Sequence, residues 1–160
     1  ATEWPTDAQF TTAILENPIY RQLTRGRLRI ILEAIEDYLR EVSGKTEETC
    51  PKNLTVEHVM PRQWDPAWLL PEDSGDGAKE RRETLLHTLG NLTLVNEKLN
   101  PALSNSKWSK KKPALVKHSV LHLKDDIVEA VDWDEDSIFK RSERLAEIVC
   151  EIWPRPDDPS

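Results

Sequence analysis

Two runs, 54–59 and 92–95, carry the strand character of this 160-residue chain. Leu54-Thr55-Val56-Glu57-His58-Val59 is closed by Pro61, and Leu92-Thr93-Leu94-Val95 opens after the Gly90-Asn91 turn. Two such short strands are marginal in water, because a ribbon has too little apolar face to form a core. Helices must therefore supply the core. Leu28, Ile31, Leu32, Ile35, Tyr38, Leu39 and Val42 repeat with helical period across 24–42. Ile138, Leu145, Ile148, Val149 and Ile152 do the same across 137–153. Thr6 and Gln9 form a capping-box pattern, which starts a first helix at Asp7 and ends it at Asn17-Pro18. A helix is predicted over 78–88, and another over 106–118 with a break at Pro113. Segments 63–77 and 96–105 read as irregular. Trp4, Trp133 and Trp153 are expected to pack the terminal helices together. The expected fold class is α+β, mostly helical, with the strand pair wrapped by helices from both ends.

Charge divides along the chain. The total is −7, from 22 basic and 29 acidic residues, which by itself argues against a nucleic-acid partner. Yet 98–124 holds seven Lys and no acid, and 17–32 holds Arg21, Arg25, Arg27 and Arg29 with no acid. Asp125 to Asp136 carries seven acids and no base. A phosphate backbone can still cross a basic face of such a dipolar protein. The expected face is the one bearing Lys98–Lys124, with the acidic run turned away; the alternative is that these runs are solvated helix faces.

The two cysteines, Cys50 and Cys150, form no CxxC pair, and no Cys/His set has zinc spacing. No run is long and apolar enough to span a bilayer. The expectation is a trimmed piece of a cytoplasmic protein with reduced thiols.

The chemistry is concentrated between Val56 and Lys112. Glu57-His58 closes the first strand, Asn91 opens the second, and Asn100 and Asn105 follow. The set resembles the HNH, or His-Me finger, nuclease motif. Trp4-Pro5-Thr6-Asp7, Ile19-Tyr20, Val56 to Pro61, His87 to Leu94, Leu103-Ser104-Asn105, Lys110-Lys111 and Ile152-Trp153-Pro154 follow in order. Together they resemble the C-terminal nuclease domain of GmrSD-type, modification-dependent (type IV) restriction endonucleases, over nearly the whole chain.

That resemblance implies a ββα-metal core over 51–118, inside one nuclease domain spanning 1–160, with helical parts over 1–50 and 119–160. It implies a metal-dependent DNA endonuclease acting in restriction of foreign or modified DNA. A separate NTPase-like or recognition domain would lie outside this chain, which contains no phosphate-binding glycine loop.

Hydrolysis of a phosphodiester needs an activated water and a cation for the charge on the phosphate oxygens. The family pattern makes His58 the general base, a role that suits a neutral imidazole. Asn91 joins the catalytic set as the residue that pins the base-bearing loop. Glu57 and Asn100 are the implied ligands of one Mg²⁺ or Mn²⁺, with Asn96 and Asn105 competitors for the second place. Neighbours on a regular strand point to opposite faces, so Glu57 and His58 reach one centre only where the strand ends or distorts. Asn105, Lys107, Lys110 and Lys111 are the candidate nucleic-acid contacts. His87 matches a family position without an assigned role. The competing functions are a binding module with a silent nuclease site and an all-helical interaction domain.

Overall fold

A computed structural model of the protein describes residues 3–44, 48–97, 99 and 104–156. Seven α-helices and two strands are present among them: α1 (Asp7–Glu16), α2 (Ile19–Gln22), α3 (Arg25–Val42), β1 (Thr55–His58), α4 (Ala78–Leu85), β2 (Leu92–Val95), α5 (Trp108–His118), α6 (Asp125–Glu129) and α7 (Glu135–Ile152). The strands pair antiparallel, with Thr55 opposite Val95, Val56 opposite Leu94, Glu57 opposite Thr93 and His58 opposite Leu92. The fold is α+β and mostly helical.

The ribbon is stabilised from both sides. Leu92, Leu94 and Val56 pack into a core with Leu28, Leu32 and Ile35 of α3 and Leu145, Ile148 and Val149 of α7. Val59, Met60 and Val95 pack into a second core with Leu86, Leu115, Ile127, Trp133 and Ile138. α7 therefore runs across both cores, with Ile138 in one and Leu145 in the other. All four residues of β2 are buried, as expected of a strand covered on both faces.

Local signals hold at the helix starts. The Thr6 hydroxyl accepts from Gln9 N at 3.1 Å and Gln9 Oε1 accepts from Thr6 N at 2.8 Å, a complete capping box. Thr24 caps α3, and Asp134 caps α7 two residues upstream of the expected start. Pro113 does not break α5, which runs through it. Proline removes only its own bond to the carbonyl four residues back, and both Ser109 and Pro113 are exposed, so water can satisfy that group. Trp133 is buried, but Trp4 and Trp153 are 68% and 50% exposed, so these two are not the expected internal anchors.

α7 meets the 3₁₀ turn Leu89–Asn91 at Gly90. Gly90 N donates to the Ser142 hydroxyl at 2.8 Å, and a Cβ there would overlap the Ile138 carbonyl and lie 2.7 Å from Ser142 N. Arg141 closes the same contact: Nη1 donates to the Gly90 and Leu92 carbonyls at 2.9 and 2.7 Å, and Nε pairs with Asp126 at 3.0 Å. This contact sets the position of β2, and through it of β1.

Candidate active site

The end of β1 is held by two side chains from opposite directions. Asn91, fully buried, donates from Nδ2 to the Met60 and Leu86 carbonyls at 2.9 and 3.0 Å. Its Oδ1 accepts from Met60 N at 2.8 Å and from Trp133 Nε1 at 3.0 Å. All its polar capacity is used on structure, so Asn91 pins the segment after the histidine and makes no contact with the imidazole. Lys111 approaches from α5. Its Nζ donates to the His58 and Val59 carbonyls, both at 2.8 Å, and lies 3.7 Å from Glu57 Oε1.

His58 is 6% exposed and sits in an aromatic box. The Tyr20 ring meets it edge-on at 4.3 Å, and its Nε2 lies 3.2 Å from His87 Nδ1. Its other nitrogen, Nδ1, has no partner among the described residues. The residue as a whole lines a polar cavity. Burial, then the His87 ring and the positive charges of Arg62, Lys111 and Arg25, push the His58 pKa down to about 3. The imidazole is therefore neutral at physiological pH.

Glu57 and His58 line one polar cavity of about 600 Å³ with Tyr20, Val56, Pro61, Arg62, Gln63, Ser104 and Asn105. Val56, Glu57 and His58 are consecutive, and side chains alternate across a strand. β1 ends at His58, so the two neighbours serve one centre where the strand stops. The Glu57 carboxyl is raised above its ordinary value by burial, which outweighs the attraction of Lys111.

Arg62 lines this cavity and lies 5.6 Å from the centroid of the Tyr20 ring, on which Arg25 stacks at 3.3 Å. Arg21, Arg62 and Arg25 also help push the His87 pKa down to about 4, behind burial as the first cause.

The other candidates distribute as follows. Asn105 is exposed and donates from Nδ2 to Gln63 Oε1 at 3.4 Å on the cavity rim. Lys107 and Lys110 are exposed at the start of α5. Lys111 is 1% exposed, which corrects its assignment as a phosphate contact: the ammonium is spent on two backbone carbonyls and Glu57. Asn100 lies outside the described residues. The acidic run is not simply turned away from the lysine helix. The Ala130 and Val131 carbonyls accept from Lys112 Nζ at 2.8 Å and Trp108 Nε1 at 2.9 Å. Asp126 neutralises Arg141 and Arg144, and Glu135 pairs with Arg82.

Sequence reasoning assigned no role to Tyr20, His87 or Arg62. The arginine-rich 17–32 segment was a signal for the first, through Arg21 and Arg25 beside it. His87 matches a family position, but its role, like that of Arg62, carries no local signal, since the partners of both are brought to them only by folding.

The donors present suit a hard divalent cation. One carboxylate, incompletely compensated by Lys111, and the neutral oxygens of Asn105, Gln63 and Ser104 border the same polar space. Such a set leaves places for water and phosphate, as Mg²⁺ requires. Among the described residues no group of three or more His, Cys, Asp or Glu could form an all-protein cage.

By architecture, then, the protein is a mostly helical α+β domain that presents a neutral histidine and a carboxylate at the end of the first strand of a two-stranded sheet. The chain belongs to the family of the GmrSD restriction endonucleases, C-terminal domain, whose model matches residues 4–148. No curated protein and no solved structure matches it significantly.

Proposed function

We propose that the chain is a metal-dependent DNA endonuclease domain of the His-Me finger type, acting in restriction of foreign or modified DNA. The observation that carries this reading is a neutral His58, tied to His87 through Nε2 alone among the described residues, beside Glu57 and Arg62 at one cavity. In this reading β1, β2 and α5 are the ββα unit, and Lys111 ties the helix to the strand end.

The phosphodiester is drawn to Arg62 and Arg25, and His58 Nδ1 takes the proton of the attacking water. In the free protein the imidazole is a weak base, because burial, then His87 and three cations, oppose its protonation. A bound phosphate brings the compensating charge and raises its basicity at the moment of attack. Glu57 with Asn100, or with Asn105 on the rim, would hold one Mg²⁺ or Mn²⁺, which when bound offsets charge on the phosphate and leaving oxygens. Recognition of modification is assigned to a further domain outside this chain.

The test is plasmid cleavage in Mg²⁺ or Mn²⁺, with EDTA and His58→Ala controls. The expected result is nicking that EDTA abolishes and His58→Ala reduces by about 10²–10⁴-fold. A folded His58→Ala protein that cuts like the wild type would remove His58 from the chemistry. Metal-independent DNA binding with no cleavage by the wild type would favour a module with a silent site.

A further inference from the structure

We propose that His87 is a positioning residue that holds His58 in the tautomer with its hydrogen on Nε2 and its lone pair on Nδ1. The inference rests on the reading of His58 as general base. It starts from one contact: His58 Nε2 and His87 Nδ1 are 3.2 Å apart, so one donates and the other accepts.

The geometry couples the two rings. If His58 donates from Nε2, its Nδ1 keeps a lone pair, and His87, accepting on Nδ1, carries its hydrogen on Nε2. If His87 donates instead, both rings carry hydrogen on Nδ1, and the other nitrogen of His58 is an N–H that cannot take a proton. Only the first arrangement makes a base. It is also the one in which both side chains hold the tautomer intrinsically preferred by neutral histidine. Two fully protonated rings could not share this contact, since both facing nitrogens would then carry hydrogen.

The surroundings fix the pair. His87 is 3% exposed, and its carbonyl accepts from Tyr20 N at 3.0 Å. The Tyr20 ring stacks on His87 at 5.5 Å and 22°, and meets His58 edge-on at 71°. Tyr20 thus restrains both ring planes, and the His87 lone pair is aimed at one atom. This division of labour, in which one nitrogen of a base is held so that the other can act, is the familiar logic of an oriented histidine.

Two measurements test it. The first needs no activity: imidazole ¹⁵N shifts of histidine-labelled wild-type protein without metal. His58 is expected to report hydrogen on Nε2 and a bare Nδ1; the Nδ1–H form would overturn the inference. The second compares His87→Leu, which removes the acceptor, with His87→Asn, whose amide oxygen restores one near the place of Nδ1. For plasmid cleavage, His87→Leu is expected to lower kcat by about 10–100-fold with KM within about twofold, and His87→Asn to recover most of it. A folded His87→Leu protein within twofold of wild type, or His87→Asn as impaired as His87→Leu, would also overturn it. If the wild type cuts no DNA, the endonuclease reading fails, and the ¹⁵N shifts still decide the tautomer.

Discussion

Asn91 brackets Met60: its amide nitrogen donates to the Met60 carbonyl at 2.9 Å, and its amide oxygen accepts from the Met60 N–H at 2.8 Å. Both backbone groups of one residue are thereby paired by a side chain 31 residues away. Asn91→Ala would leave these groups, the Leu86 carbonyl and Trp133 Nε1 buried without partners. The expected cost is about 3 kcal/mol in urea unfolding. Trp133→Phe breaks one of the four bonds while Asn91 Oδ1 keeps Met60, so its hydrogen-bond loss should cost only about 1 kcal/mol. Equal costs for the two variants would place the strength of the contact in the indole and not in the bracket.

Lys110 and Lys111 are neighbours with opposite fates. Lys111→Met is expected to lower stability by about 2 kcal/mol through the loss of two charged hydrogen bonds. It should reduce cleavage and leave the salt dependence of DNA binding unchanged. Lys110→Ala should leave stability within about 0.5 kcal/mol and flatten the slope of log K against log salt by about 1. Fluorescence anisotropy at several salt concentrations separates them. A flattened slope for Lys111→Met would mean that this side chain leaves its buried site to meet phosphate.

Stability should fall as pH is lowered from neutrality. His58 and His87 have folded pKa values of about 3 and about 4, whereas unfolded histidine titrates near ~6.5. Between these limits the unfolded chain holds the extra protons. Each such histidine lowers the unfolding free energy by about 1.4 kcal/mol per pH unit as pH drops. Glu57 acts in the opposite sense, because burial raises its carboxyl and the folded chain takes that proton first. Urea titrations at pH 7, 6 and 5 should show the loss, and His87→Asn should reduce the slope. An unchanged slope would show that His87 is protonated in the fold.

Glu57 is the acid on which a cation should register. Addition of Mn²⁺ is expected to raise the melting temperature of the wild type, since a ligand of the folded state alone stabilises it by mass action. Glu57→Gln preserves shape and removes the charge, and its melting temperature should not respond. An equal Mn²⁺ shift in both proteins would move the metal away from this carboxylate.

Periodicity and punctuation alone determined the ribbon, the stripes of α3 and α7, and the cap at Thr6, because these are properties of residues a few positions apart. The ordered motifs also pointed to the family that residues 4–148 match. Tertiary structure decided which charges are spent. Lys111 reads as one of a run of exposed lysines, yet it meets a carbonyl 53 residues away and is buried by that contact. The acids of 125–136 read as a repelling face, but Asp126 and Glu135 neutralise arginines of other helices. His87 reads as the end of the helix predicted over 78–88 and becomes the partner of a histidine 29 positions earlier. A side chain's local pattern says which face of its element it occupies. Whether its charge or lone pair is free depends on what the rest of the fold brings against that face, and that is set by the packing of distant segments.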